Sequence, residues 1–137
     1  MKIERAELDK LWAHARQGYP HEVVGILAGE RETGHVRRVQ PLVNERADAA
    51  HNRYRVSGLL LMRAERSLEA EGLQIVGYYH SHPDHPARYS ETDRDNALPN
   101  TSYLITAVKG GEIADTLSWR LEEDRSSMVA EDIEILP

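Results

Sequence analysis

The run Gln74-Ile75-Val76-Gly77-Tyr78-Tyr79-His80-Ser81-His82-Pro83 is the stretch on which the fold and its chemistry turn. Its β-branched and aromatic residues read as a buried strand, with His80 and His82 at the strand's mouth. Alternate side chains of a strand point to one face about 6 to 7 Å apart. Two imidazoles at this spacing can therefore close on one metal ion from the same side, and Ser81 faces the other way. Beyond a loop containing Pro83 and Pro86, the segment Ser90-Glu91-Thr92-Asp93-Arg94-Asp95-Asn96-Ala97-Leu98 opens like a short helix, with a capping residue first and acids in the first turn. Two histidines and the Asp93 carboxylate would leave a tetrahedral zinc with one position open for water, as in a catalytic rather than a closed structural site.

Each residue also has a plainer account. A histidine at a strand end is commonly a polar terminus, Ser90 with Asp93 makes a capping-box pattern, and the prolines are ordinary loop punctuation. The combination changes the balance. A strand built only for stability gains nothing from ending in two histidines in register, with a carboxylate returning one loop later.

Bulk properties narrow the rest. A chain of 137 residues is the size of one domain and can bury a single core without staples. Its net charge of -6 and its lack of a basic patch argue against nucleic acid or an anionic membrane as a partner. The absence of cysteine excludes disulfides, thiolate zinc sites and the Pro-Cys-x-x-Cys deaminase pattern. The charged start, Met1-Lys2-Ile3-Glu4-Arg5, carries no apolar signal region, and no run approaches a membrane span. A soluble cytoplasmic protein is expected.

Working outward from the central stretch, residues 5–18 carry Leu8, Leu11, Trp12 and Ala15 at helical spacing up to Gly18 and Pro20. Trp12 belongs to a core stripe there. Pro20-His21-Glu22-Val23-Val24-Gly25-Ile26-Leu27-Ala28-Gly29 reads as an apolar strand, and its two interior glycines indicate crowding on one face. His21-Glu22 does not begin a His-Glu-x-x-His zinc helix, because Gly25 stands in the fifth place. Taken alone, Glu22 is a surface acid at a strand start. Residues 35–43 form a further strand after the Thr33-Gly34 turn and can make a hairpin with the preceding one. His51 falls in a polar loop, residues 54–56 suggest a brief strand, and Ser57 caps a helix through Leu59, Leu60, Met62, Ala64 and Leu68 to Gly72. After the short helix, Ser102–Val108 is an apolar strand that should be central, and Gly110-Gly111 turns the chain. Residues 115–121 and 128–136 alternate as strands nearer an edge do. The result is a mixed α/β domain: a curved, mostly antiparallel sheet flanked by two long helices and a short one.

These residues resemble the signature of the JAMM (MPN-plus) zinc metalloprotease family. In that signature a glutamate, here Glu22 at the head of Glu22-Val23-Val24-Gly25-Ile26-Leu27-Ala28-Gly29, precedes a His-Ser/Thr-His-Pro run, here His80-Ser81-His82-Pro83. Six residues, a serine, two residues and an aspartate follow, matched here by residues 84–89, Ser90, Glu91-Thr92 and Asp93. The resemblance covers nearly the whole chain and implies a single JAMM/MPN-plus domain over residues 1–137 with a cytidine-deaminase-like architecture. It implies zinc held by His80, His82 and Asp93, Glu22 as general acid/base, and Ser90 as a hydrogen-bond donor to the oxyanion.

Family members specialised for ubiquitin carry insertions that grip it. Only about eight residues separate Asp93 from the Ser102 strand here, so this chain is similar to the compact prokaryotic type. That type implies an amide bond following the C-terminal Gly-Gly tail of a ubiquitin-like or sulfur-carrier protein as the substrate, with release of an amino acid such as cysteine as one form of the reaction. Two alternatives stay open: a general zinc peptidase or amidase acting on small peptides, and a noncatalytic zinc-stabilised scaffold. His85, between the ligand candidates, reads as a solvated loop residue.

Overall fold

The computed structural model describes residues 1–44 and 58–137. The readings of His51, of a strand at 54–56 and of Ser57 as a cap lie outside the described residues. In chain order the elements are β1 (Lys2–Glu4), α1 (Arg5–Gly18), β2 (Val24–Glu30), β3 (His35–Leu42), α2 (Gly58–Ala70), β4 (Gln74–Pro83), α3 (Glu91–Asn96), β5 (Ser102–Lys109), β6 (Glu112–Leu121), β7 (Met128–Glu131) and β8 (Glu134–Leu136). One sheet takes the order β7-β6-β5-β4-β2-β3-β1-β8. Within it β2–β3, β2–β4, β5–β6 and β6–β7 pair antiparallel. The β4–β5, β1–β3 and β1–β8 pairs run parallel. The expected hairpin is β2–β3, and the strand expected to be central, β5, lies between β4 and β6.

Alternation along the strands divides the core between the two faces of the sheet. Leu27, Val76, Tyr79, Leu104 and Val108 point to one face, where they meet Leu8, Leu11 and Ala15 of α1. Ile26 and Ala28 point to the other, beneath Leu68 of α2. Ile105 and Ala107 lie on that second face too, covered by Ala87 from the loop after β4. Trp12 is only half-buried; it packs against the α1 core while its Nε1 donates to Thr116 Oγ1 at 2.9 Å. The indole needs such a partner when its apolar body is covered.

Register shifts interrupt the ladder at Leu27/Ala28, Ala28/Gly29 and Ala107/Val108. Bulges of this kind bend strands and increase twist, and the sheet curls until its edges approach. Residues 128–136, read from the sequence as one edge stretch, split into β7 and β8, which lie at opposite edges of the sheet and are joined through Asp132 and Ile133. The amino terminus closes this seam: Met1 N donates to Asp132 O at 2.8 Å and Glu131 Oε1 at 3.3 Å, and Glu134 N donates to Met1 O at 2.9 Å.

Gly25 confirms the crowding expected of β2. A Cβ there would overlap the ring of Tyr79, which is fully buried beside it on β4 and paired with Gly25 in register. No helix among the described residues is long and apolar enough to cross a membrane.

Candidate metal centre

The β4 strand runs on to Pro83, so both histidines belong to it and project from the face opposite α1. His80 pairs with Val24 on one side and Ile105 on the other, which places it between the α2 packing and the Ala87 cluster. The Nε2 atoms of His80 and His82 stand 3.1 Å apart. Their ring centroids are separated by 4.9 Å. Two-residue spacing has brought both imidazoles onto one point, as expected.

Hydrogen bonding fixes how His82 presents itself. Its Nδ1 lies 2.8 Å from Pro86 O. A carbonyl only accepts, so Nδ1 carries the proton and the neutral ring turns an Nε2 lone pair toward His80. Burial pushes the His82 pKa down and the neighbouring His80 adds to this, outweighing the opposite pulls of Pro86 and Asp93. The ring therefore stays neutral near pH 7. Between two Nε2 atoms this close, one shared proton or one cation satisfies both.

Asp93 arrives from α3. The capping box expected at Ser90 is present: Asp93 N donates to Ser90 Oγ at 3.1 Å, and Ser90 N donates to Asp93 Oδ2 at 2.8 Å. The other carboxylate oxygen, Oδ1, lies 3.5 Å from His80 Nε2. Burial alone would raise the Asp93 pKa. The His80 hydrogen bond and charge, with the two Ser90 contacts, overcome it and hold the group at about 2. Asp93 is thus an ionised carboxylate facing the imidazole pair.

Glu22 corrects the reading of an isolated surface acid. It precedes β2, which begins only at Val24, and it is 5% exposed. Its carboxylate, His80 and His82 each offer a ligand atom within 4.8 Å of the others. Backbone ties explain the position. Val23 N donates to Ser81 Oγ at 2.9 Å, Ser81 N donates to Val23 O at 3.0 Å, and Asn44 Nδ2 donates to Glu22 O at 2.8 Å. Ser81, facing away from the histidines as alternation requires, fastens the residue after Glu22 to the strand between them. Desolvation raises the Glu22 pKa; His80 opposes this, Asp93 adds to it, and the group sits at about 7.

The tight cluster is therefore Glu22, His80 and His82, and Asp93 joins through His80. Ser90 is exposed; its oxygen accepts the cap bond, which leaves the hydroxyl proton to be donated elsewhere. His85 is exposed, as expected, and lies near enough to disfavour charge on His82. Two convergent imidazoles beside two carboxylates form a donor set that fits a divalent metal ion.

Residues that sequence reasoning passed over hold the loop between β4 and α3. Asp84, at φ 57°, accepts from Gly110 N at 2.9 Å and from the Tyr19 hydroxyl at 2.7 Å. Trp119 Nε1 donates to Ala87 O at 3.0 Å. Neither tie carries a spacing signal, since each partner lies on a distant element.

Residues 4–122 match the family described as prokaryotic homologs of the JAB domain. A probable TtuB-protein conjugate cleaving protease of Thermus thermophilus is 37% identical over 108 residues, covering 79% of this chain and 70% of that protein. A desampylase of Haloferax volcanii is 33% identical over 127 residues, covering 89% of each. Among solved structures, a protein of Desulfitobacterium hafniense superposes with a TM-score of 0.83 at 28% identity, covering 99% of this chain and 93% of that one. A JAB1/MPN domain protein of Archaeoglobus fulgidus shares the fold at a TM-score of 0.64 and 19% identity, with both chains fully covered.

Proposed function

The chain belongs to the prokaryotic JAB-domain family, and from that membership and the site geometry we propose that it is a zinc-dependent metallopeptidase. The bond cleaved is the amide following the C-terminal Gly-Gly tail of a ubiquitin-like or sulfur-carrier protein, and the reaction takes place in the cytoplasm. Residues 1–137 act as one domain. The observation that carries this reading is a buried glutamate, poised at about 7, whose carboxylate lies within 4.8 Å of two convergent imidazoles.

In this reading His80, His82 and Asp93 hold the zinc. When bound there, zinc supplies Lewis acidity, which lowers the pKa of a water from about 15.7 to about 7 and polarises a carbonyl oxygen. Glu22 takes the water's proton and later delivers it to the leaving amine. A group poised near neutrality serves both transfers, since it holds the proton neither too tightly nor too weakly. The Ser90 hydroxyl donates to the oxyanion as the carbonyl carbon becomes tetrahedral; one such donor is worth on the order of 3 kcal/mol. Pro86 O keeps the His82 lone pair pointed inward, and Ser81 keeps Glu22 beside it.

The substrate class is supported by the relatives, one of which is a probable TtuB-protein conjugate cleaving protease and another a desampylase. A Gly-Gly tail suits a site sunk between strands, because it lies extended without side chains to clash. The test is mass spectrometry of carrier-protein adducts incubated with the zinc-loaded protein. Trimming at the residue after the tail is expected. Intact adducts beside cleavage of unrelated short peptides would instead assign the site to a general peptidase.

A further inference from the structure

Resting on the reading of His80, His82 and Asp93 as metal ligands, we propose that Trp119 is a positioning residue for the metal, acting through the loop that joins β4 to α3. Residues 84–90 of this loop separate the strand that carries both histidines from the helix that carries the aspartate. Two adjacent carbonyls in its middle have different partners. Pro86 O accepts from His82 Nδ1 at 2.8 Å. Ala87 O accepts from Trp119 Nε1 at 3.0 Å.

The first bond fixes the tautomer and direction of His82, and the second fixes the backbone that makes the first. Ala87 is buried against Ile105 and Ala107, with Tyr89, Leu117 and Trp119 packed around it. The rings of Tyr89 and Trp119 meet edge to face at 5.0 Å between centroids. Trp119 is itself held on a sheet strand, between Tyr103 of β5 and Ala130 of β7. Peptide planarity ties the direction of the Pro86 carbonyl to the placement of Ala87, so a sheet residue that never meets the metal sets the angle at which His82 does. Asp84 anchors the start of the loop and the Ser90 cap anchors its end. Trp119 supplies the tie in the middle, next to the carbonyl that matters.

Outer partners of a metal-bound histidine typically contribute 10- to 100-fold in metal affinity. Trp119→Phe keeps an aromatic ring in the cluster and removes the N–H. The expected result is a loss of zinc affinity on the order of tenfold, read by competition with a chromophoric chelator, together with altered visible bands of the cobalt(II)-loaded protein. Leu117→Ala removes packing from the same cluster and leaves the bond to Ala87 in place. It is expected to lower the melting temperature of the metal-free protein while zinc affinity stays at the wild-type value. The inference is overturned if Trp119→Phe binds zinc and cobalt as the wild type does, or if Leu117→Ala weakens zinc equally. A wild-type protein that takes up no zinc would instead sink the metallopeptidase reading, and this inference with it.

Discussion

Replacing Glu22 by glutamine tests the electrostatics of the site apart from its catalysis. In the metal-free protein Glu22 titrates at about 7, against 4.5 for an ordinary glutamate. Its folded pKa is raised, so the carboxyl favours the folded state fully below about pH 4.5, and that contribution is lost as pH rises through about 7. A shift of this size corresponds to about 3 kcal/mol. At 5% exposure the side chain is not screened by solvent. Glutamine keeps the shape and never ionises, so the penalty disappears. Asp93, with its lowered pKa, loses its contribution only as pH falls toward about 2. His82, also lowered, disfavours folding on acidification. Both groups are present in either protein, and the difference between the two isolates Glu22.

The assay is urea unfolding in the presence of a chelator from pH 5 to pH 8. Near pH 5 the stability gap between Glu22→Gln and wild type should be small, and it should widen in favour of the variant by about 3 kcal/mol by pH 8. With zinc restored, the same variant should keep its metal and lose on the order of 10²- to 10⁴-fold in turnover. A stability gap independent of pH would show that Glu22 is solvated and ordinary, and the case for a poised acid/base would go with it.

Other substitutions probe the frame. Asp93→Ala removes a proposed ligand and half of the capping box together; zinc retention should collapse in metal analysis, and the metal-free protein should lose about 1 kcal/mol in urea unfolding. Ser81→Ala leaves the buried Val23 N–H without its partner and should cost about 1–3 kcal/mol, whereas Ser81→Thr, with a hydroxyl in the same place, should recover most of it; equal stability of the two would remove Ser81 from the brace. Chelation of the zinc-loaded protein should lower its melting temperature, with recovery on adding zinc back, because a ligand that binds only the folded state stabilises it. Gly25→Ala should destabilise the fold by several kcal/mol or prevent it, since the added methyl meets the buried Tyr79 ring.

How much of this was legible depended on whether the signal was local. The histidine pair was readable because strand alternation alone puts residues 80 and 82 on one face, and the structure brings their Nε2 atoms to 3.1 Å. The capping box was readable for the same reason. Glu22 was singled out only through the family resemblance and not from its local pattern: its burial comes from the pairing of Val24 with His80 and from Ser81 and Asn44, all distant in sequence. β1 has three residues and one buried side chain, too little for a period to show. The split of residues 128–136 followed from closure of the curled sheet, which Met1 seals and which no alternation within that stretch encodes. Trp119 looks like an ordinary strand aromatic until Ala87 is found beneath it.

The plain and chemical readings of Ser90 and Asp93 turn out to be compatible, and the reason is stoichiometric. A carboxylate has two oxygens: Oδ2 accepts the helix-capping bond from Ser90 N, while Oδ1 faces His80. A hydroxyl accepts and donates: Ser90 Oγ takes the Asp93 N–H and keeps a proton to give. The helix they start has six residues and no buried side chain, so propensity alone would not hold it, short isolated helices being marginal in water. Its cap at Ser90, with the ties of Arg94 to Ser126 O and of Arg125 to Asp95 O and Ala97 O, presents Asp93 at a defined angle, and a cation shared with His80 and His82 would in turn hold the helix start in place. The local rule that begins α3 and the roles proposed for the site would be met by the same two side chains, through different atoms. That is why each looked sufficient when read alone.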